Sequence, residues 1–241
     1  MKKLIAFSIL ALLLAGCASD DKELTDSAEA DYKEALHMMD AGRYGQANMF
    51  LEKYGAKHPY SQYLPQAETL RIYAAYKNEE YILSETLSGR FIDRHPRSRD
   101  IAYARYMLAL SLYKQVNDPS KEQATTHKAV KAFETLAKEH PDSQYTRDAR
   151  PRMQKLYNSL AAHELLVGKF YFKKERYVAA ANRFAVVLDN YQTTPSIEEA
   201  LYYLAESYAR LGVKQSAREM AILLRHNYPK SEWSDKAAEL L

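Results

Sequence analysis

The chain has 241 residues, 34 Lys and Arg against 31 Asp and Glu, and a formal charge of +3, a balance that excludes polyanion binding through bulk charge. A single cysteine excludes a disulfide framework and a Cys-rich zinc site. Apolar residues make up 47% and charged residues 27%, and 7 Gly and 8 Pro stand against 20 Tyr, so a long linker or an all-β sandwich is disfavoured and helices are expected.

Met1-Lys2-Lys3 is a basic start, followed by an apolar run from Leu4 to Leu14 that is too short to span a bilayer, which takes about 20 residues. Leu14-Ala15-Gly16-Cys17 then resembles the lipobox of bacterial lipoproteins. Residues 1–16 are accordingly expected to be a lipoprotein signal peptide. Cys17 is the expected lipidation site, carrying an S-diacylglycerol and an N-acyl chain, and 17–26 would be a lipidated tether. The alternative is a plain secretory leader with Cys17 incidental. By resemblance to Gram-negative lipoproteins, Ala18 after the cysteine implies the outer membrane. Loss of Lys2 and Lys3 with the leader leaves 32 basic against 31 acidic residues.

Four tetrapeptides recur along the rest: His58-Pro59-Tyr60-Ser61, His95-Pro96-Arg97-Ser98, His140-Pro141-Asp142-Ser143 and Tyr228-Pro229-Lys230-Ser231, with a degenerate Tyr191-Gln192-Thr193-Thr194. Spacings of this order signal a solenoid of repeats. Between the marks, apolar residues recur at three and four. Leu201, Leu204, Ala205 and Tyr208 form one stripe ended by Gly212; Ala217, Ala221 and Leu224 form a second, stopped before Pro229. Thr194-Pro195 predicts a capped start, and Ser196-x-x-Glu199 a capping box. Asn117 to Thr126 reads as a longer connection, and Ser231 to Leu241 as a final covering helix.

These patterns resemble the tetratricopeptide repeat (TPR), two antiparallel helices with small and large residues at fixed positions. The expected fold is all-α, a superhelical solenoid of about five TPR units. Residues 27–115 would hold units one and two and the first helix of unit three. The remainder of unit three, units four and five and the capping helix would fill 116–241. On the face lined by first helices, this register places Tyr32, Tyr73, Tyr76, Tyr103, Tyr106 and Tyr113, with Phe172 and Tyr202 further on. Such rings suit an extended peptide with spaced apolar side chains, and equally suit packing between neighbouring repeats. His58, His95 and His140 sit on separate repeats, where packing or helix capping is expected rather than a metal site; no metal, cofactor or nucleic-acid partner is expected. Glu79-Glu80, Asp20-Asp21 and Lys173-Lys174 read as solvated charges. There is no catalytic constellation among the familiar motifs, so no enzymatic activity is expected.

Lipobox, five irregular units and the stretches Ile72-Tyr73-Ala74-Ala75-Tyr76-Lys77-Asn78, Asp142-Ser143-Gln144-Tyr145-Thr146 and Asn182-Arg183 together resemble the BamD family of outer-membrane β-barrel assembly lipoproteins. The departures are a connection over 116–126 shorter than in enteric members and Gln192 in place of proline. The resemblance implies a non-enzymatic scaffold on the periplasmic face of the cell outer membrane, held by its lipid anchor. It implies docking to the POTRA region of the barrel protein BamA, with Asn182 and Arg183 at the contact. Other lipoproteins of the complex and unfolded β-barrel clients are further implied partners, the clients on the N-terminal repeats. The rival readings are a TPR lipoprotein of another envelope system, such as a pilotin, and a helical cell-wall hydrolase.

Overall fold

A computed structural model describes residues 22–240. The described residues contain eleven α-helices and no strand, in chain order α1 (Ala28–Asp40), α2 (Tyr44–Lys57), α3 (Leu64–Lys77), α4 (Tyr81–Arg94), α5 (Ile101–Lys114), α6 (Ala124–Glu139), α7 (Gln144–Lys173), α8 (Tyr177–Asn190), α9 (Ile197–Arg210), α10 (Lys214–Asn227) and α11 (Glu232–Ala237). A 3₁₀ turn over Ala238–Leu240 follows. Each helix packs on its sequence neighbours, so α1/α2 through α9/α10 form five stacked hairpins, with α11 laid against α9 and α10. This is the TPR solenoid expected from the repeats. The leader, Cys17 and Ala18 lie outside the described residues.

The tetrapeptides work as two-part stops. In each, the ring residue caps the second helix and its N–H still donates to the carbonyl four back, as His58 N does to Tyr54 O at 2.8 Å. Proline then bars a further helical N–H. The serine N–H closes a turn onto the ring residue's carbonyl (Ser61 to His58 at 3.1 Å, Ser98 to His95 at 2.9 Å). The serine hydroxyl next accepts the N–H two residues on: Tyr63, Asp100, Tyr145 and Trp233 donate to Ser61, Ser98, Ser143 and Ser231. In the degenerate copy, Thr194 N donates to Tyr191 O at 3.1 Å, so the turn survives without its proline.

Within four hairpins the chain reverses through a left-handed residue: Gly42 (φ 71°), Glu79 (φ 62°), Glu175 (φ 58°) and Gly212 (φ 77°). The same pair of bonds closes each, as Arg43 N donates to Met38 O at 2.9 Å and Gly42 N to Met39 O at 3.0 Å. Gly212 ends α9 as the sequence indicated. Glu80 is not a free surface charge, because its carboxylate accepts from Asn48 Nδ2 at 2.7 Å and Asn78 Nδ2 at 2.9 Å.

The packing register sits on the second helices. Counting back from the cap, Tyr54, Phe91, Leu136, Val187 and Leu224 hold one buried position, and Leu51, Ser88, Phe133, Phe184 and Ala221 the next; none is more than 3% exposed. Ser84 and Ser88 of unit two and Ser111 of unit three are small polar intruders, and they are satisfied: Ser111 Oγ donates to Ser84 Oγ at 2.9 Å, Ser84 Oγ to Ile72 O at 3.1 Å and Ser88 Oγ to Ser84 O at 2.7 Å.

Three local differences separate the structure from the sequence reading. The capping motifs before α9 are not used: the helix starts at Ile197, and Ser196 caps it with near-helical backbone and no side-chain bond. The long connection in unit three is Gln115–Gln123, and Ala124 to Thr126 already belong to α6. The far end of the expected tether is docked. Lys22 Nζ pairs with Glu34 at 2.7 Å, Thr25 N donates to Asp31 Oδ1 at 2.8 Å, and Lys57 Nζ donates to Leu24 O at 3.2 Å.

The largest surprise is α7, a helix of 30 residues, about 45 Å at 1.5 Å per residue. It starts directly after the His140 stop, with Ser143 as its cap, and continues through Pro151. Its first half packs with units two and three, whose core ends at Leu160; its second half belongs to the core of units four and five, which begins at Ala161, and unit one has a core of its own. One continuous helix thus joins two stacks.

Candidate functional site

The face of the first helices carries an aromatic cluster whose centre is units two and three. Tyr73 is 38% exposed on α3. Tyr76, one turn on, is half-buried and meets Tyr81 edge-on at 5.5 Å. From α5, Tyr103 and Tyr106 both lie against Tyr145 of α7, with centroids 5.5 and 5.2 Å apart, and the second pair is stacked. Tyr106 donates its hydroxyl to Asp148, which also accepts from Arg152 Nε at 2.9 Å. The Arg152 guanidinium lies 5.9 Å from the ring of Tyr113, which packs edge-on against Phe133 at 6.3 Å.

The structure therefore brings Tyr73, Tyr76, Tyr103, Tyr106 and Tyr113 into one neighbourhood. Tyr32 stands apart at the N-terminal end, stacked on Tyr63 at 5.5 Å. Several of these rings bridge repeats and present only part of themselves to solvent; Tyr73 is the most open. The Tyr145, Asp148 and Arg152 contribution is invisible to the repeat register, because these residues lie on the N-terminal turns of the 30-residue α7. The missed signal was the 51-residue gap between Pro141 and Gln192, which the extra turns of α7 fill. Further along, Phe172 is covered edge-on by Tyr177 and Tyr203, and Tyr202 lies on Trp233 of the end helix at 5.3 Å. The aromatic face is thus closed at the C-terminal end.

Burial and the neighbouring carboxylate push the Tyr106 hydroxyl up to about 12, while Arg152 and the Tyr106 hydroxyl hold the Asp148 carboxyl below its usual range. Burial, then Glu134, raises Tyr157 to about 12; burial, then Glu206, does the same for Tyr202. Tyr103 is pushed higher still by burial. Unfolded tyrosines lose their protons at about pH 10. Between about pH 10 and 12 the unfolded chain binds fewer protons than the folded one, so this stabilisation is intact below 10 and lost as pH rises. An alkaline titration followed by circular dichroism and tyrosinate absorbance is expected to show helix loss and ionisation together in that window. Tyrosinate formation complete before any helix is lost would contradict the burial described.

Asn182 and Arg183 are both exposed on α8. Arg183 Nη1 bonds Glu164 of α7 at 3.1 and 3.4 Å, so the guanidinium is already oriented by a carboxylate of its own chain and still 44% exposed at the side chain. The histidines prove to be cap residues: His58 Nε2 donates to buried Asp31 at 2.9 Å and His95 Nε2 to Glu68 at 2.8 Å. His140 Nε2 has no such partner. No group of three or more metal-ligating side chains occurs among the described residues, and no described helix is long and apolar enough to cross a membrane.

Stacked helical hairpins presenting a face of tyrosines define the class, a TPR-type repeat scaffold. The chain belongs to the YfiO family of outer membrane lipoproteins, whose model matches residues 25–224. It is 35% identical over 242 residues to the outer membrane protein assembly factor BamD of Rickettsia prowazekii (strain Madrid E), covering 100% of this chain and 96% of that protein. It is 29% identical to BamD of Caulobacter vibrioides, over 98% of this chain and 79% of that protein. The BamD of Neisseria meningitidis serogroup A is 31% identical, over 96% of this chain and 93% of that protein.

Proposed function

We propose that this chain is a non-enzymatic scaffold lipoprotein of outer-membrane protein assembly, docking BamA through its C-terminal stack and receiving unfolded β-barrel clients on its N-terminal stack. The observation that carries this is the likeness to BamD proteins along essentially the whole chain. The division of labour is supported by the two cores that meet within α7. Tyrosines of units two and three offer flat apolar faces with hydroxyl tips to an extended strand, at low entropic cost. Arg183, held in place by Glu164, offers its remaining donors to a BamA carboxylate, and Asn182 lies beside it. Other lipoproteins of the complex share the assembly, and Cys17 carries the acyl chains that hold the protein at the periplasmic face of the outer membrane. Three chains at about 0.8 kcal/mol per buried methylene make such an anchor effectively permanent.

Arg183→Glu places a second carboxylate beside Glu164 and repels the partner's acid. Recovery of BamA with the affinity-purified variant is expected to fall about tenfold or more, with the helical circular dichroism unchanged. Undiminished recovery would remove Arg183 from the contact.

A further inference from the structure

On the side away from the tyrosines, α4, α5 and α6 enclose a cleft of about 530 Å³, within the range of known ligand pockets. Leu108, Leu112 and Ala132 make its apolar floor, and Arg105, Lys128 and Lys131 stand round it. It runs from Arg105 to Leu112 along α5, about 10 Å at helical rise. Neither the tyrosine face nor Arg183 takes part in it.

The same cleft one unit earlier, between α2, α3 and α4, shows what is different. There Arg71 pairs with Glu52 at 2.9 Å, and Glu68 accepts from both Arg94 at 2.9 Å and His95 at 2.8 Å. Two of that cleft's three arginines, Arg71 and Arg94, are matched by the chain's own acids, while the exposed Arg90 makes no ion pair among the described residues, and Glu68 is the fifth residue of α3. The fifth residue of α5 is Arg105, so the repeated carboxylate has become a guanidinium. The consequence is visible: Arg105 Nε and His140 Nε2 are both buried and have no hydrogen-bond partner. Arg105 keeps one ion pair, to Glu139 at 2.6 Å. Lys128 and Lys131 make none among the described residues, and the one carboxylate in the cleft, Glu85, is taken by Gln115 Nε2 at 2.8 Å. Unit three therefore presents an apolar trough with two unpaired lysines and one carboxylate, where unit two has a single unpaired arginine and two carboxylates.

We propose that this cleft is a second docking surface, for an acidic segment of a partner protein. Its apolar side chains lie on Leu108, Leu112 and Ala132, and its carboxylates pair with Lys128, Lys131 and Arg105. A trough of this length takes about two turns of an amphipathic helix or three to four extended residues. Its apolar floor favours a peptide over an anionic headgroup, which would gain nothing from that floor and would meet Glu85.

The test uses the full lipidated chain in the envelope of its own host, with a photoreactive phenylalanine analogue at Thr135 or at His127 on the cleft rim. Irradiation is expected to yield a protein adduct whose mapped peptide carries at least two acidic residues within four positions of an apolar one. The Lys128→Glu/Lys131→Glu variant should lose that adduct about tenfold or more while melting normally, since both lysines are exposed. Changing the partner's acids to lysine should restore it. Tyr73→Ala with Tyr76→Ala should leave it unchanged, which separates this surface from the client face. An adduct with lipid, with a second copy of the chain or with a peptide lacking acids overturns the proposal. So do an adduct indifferent to the charge reversal and the absence of any adduct.

Discussion

Gly168→Val is expected to cost more than about 3 kcal/mol and to unfold the C-terminal stack before the N-terminal one. Gly168 lies on α7 where it crosses α8, and a Cβ there would sit 2.4, 2.8 and 2.9 Å from three carbons of the Phe184 ring. That ring is fully buried and stacked on Tyr203 at 5.5 Å, so it has no free volume to retreat into. Glycine inside a helix costs about 1 kcal/mol against alanine, and Gly168→Ala would recover that amount. Overpacking by even one methyl typically costs about 1–3 kcal/mol, and the 2.4 Å approach puts this site at the upper end. Valine adds two more methyls and a stiff χ1. For a chain of this size, 3 kcal/mol corresponds to a fall in melting temperature of roughly 6–12 °C. Gly168→Ala combined with Phe184→Leu should melt above Gly168→Ala alone, because the shorter side chain vacates the contact. A Gly168→Val protein melting with the parent would show that α7 and α8 do not approach as described.

The sequence disclosed the stack because its stops are chemical. A ring residue that caps, a proline that cannot donate and a serine that accepts are legible without coordinates, and all five copies form the same turn. Gly212 was legible for the same reason. Glu79 and Glu175 were not: they adopt the left-handed conformation against their own preference, at a cost of about 1–2 kcal/mol each, held by the flanking helix packing. Pro151 points the reader to a helix boundary, yet it lies on the exposed side of α7, where losing one hydrogen bond is tolerated. The repeat pattern alone therefore does not place Tyr145, Asp148 and Arg152, which sit on the first turns of α7. The tyrosines themselves were legible from register. Their pairing across repeats was not, since a 3.6-residue period says which face a ring occupies and nothing about what faces it.

That pairing sets the terms of the second prediction. Tyr73 is exposed and Tyr76 is braced by Tyr81, so removing both strips the open edge of the cluster and leaves Tyr103, Tyr106 and Tyr145 in place. Each aromatic contact to a bound strand is worth about 0.5–1.5 kcal/mol beyond its burial. Tyr73→Ala with Tyr76→Ala is thus expected to weaken binding of an aromatic-rich peptide from a barrel's C-terminal strand by roughly tenfold, at 1.4 kcal/mol per decade. Photocrosslinking of that peptide to the chain should drop in proportion. Tyr60→Ala is the control, since Tyr60 is 99% exposed on a turn and carries no role in the cluster. Tyr73→Ala alone should retain the parent's melting temperature, which guards against reading a folding defect as lost affinity. Crosslinking that survives the double substitution but vanishes with Tyr60→Ala would move the client site off this face altogether; loss only with the double substitution keeps it on the open edge of units two and three.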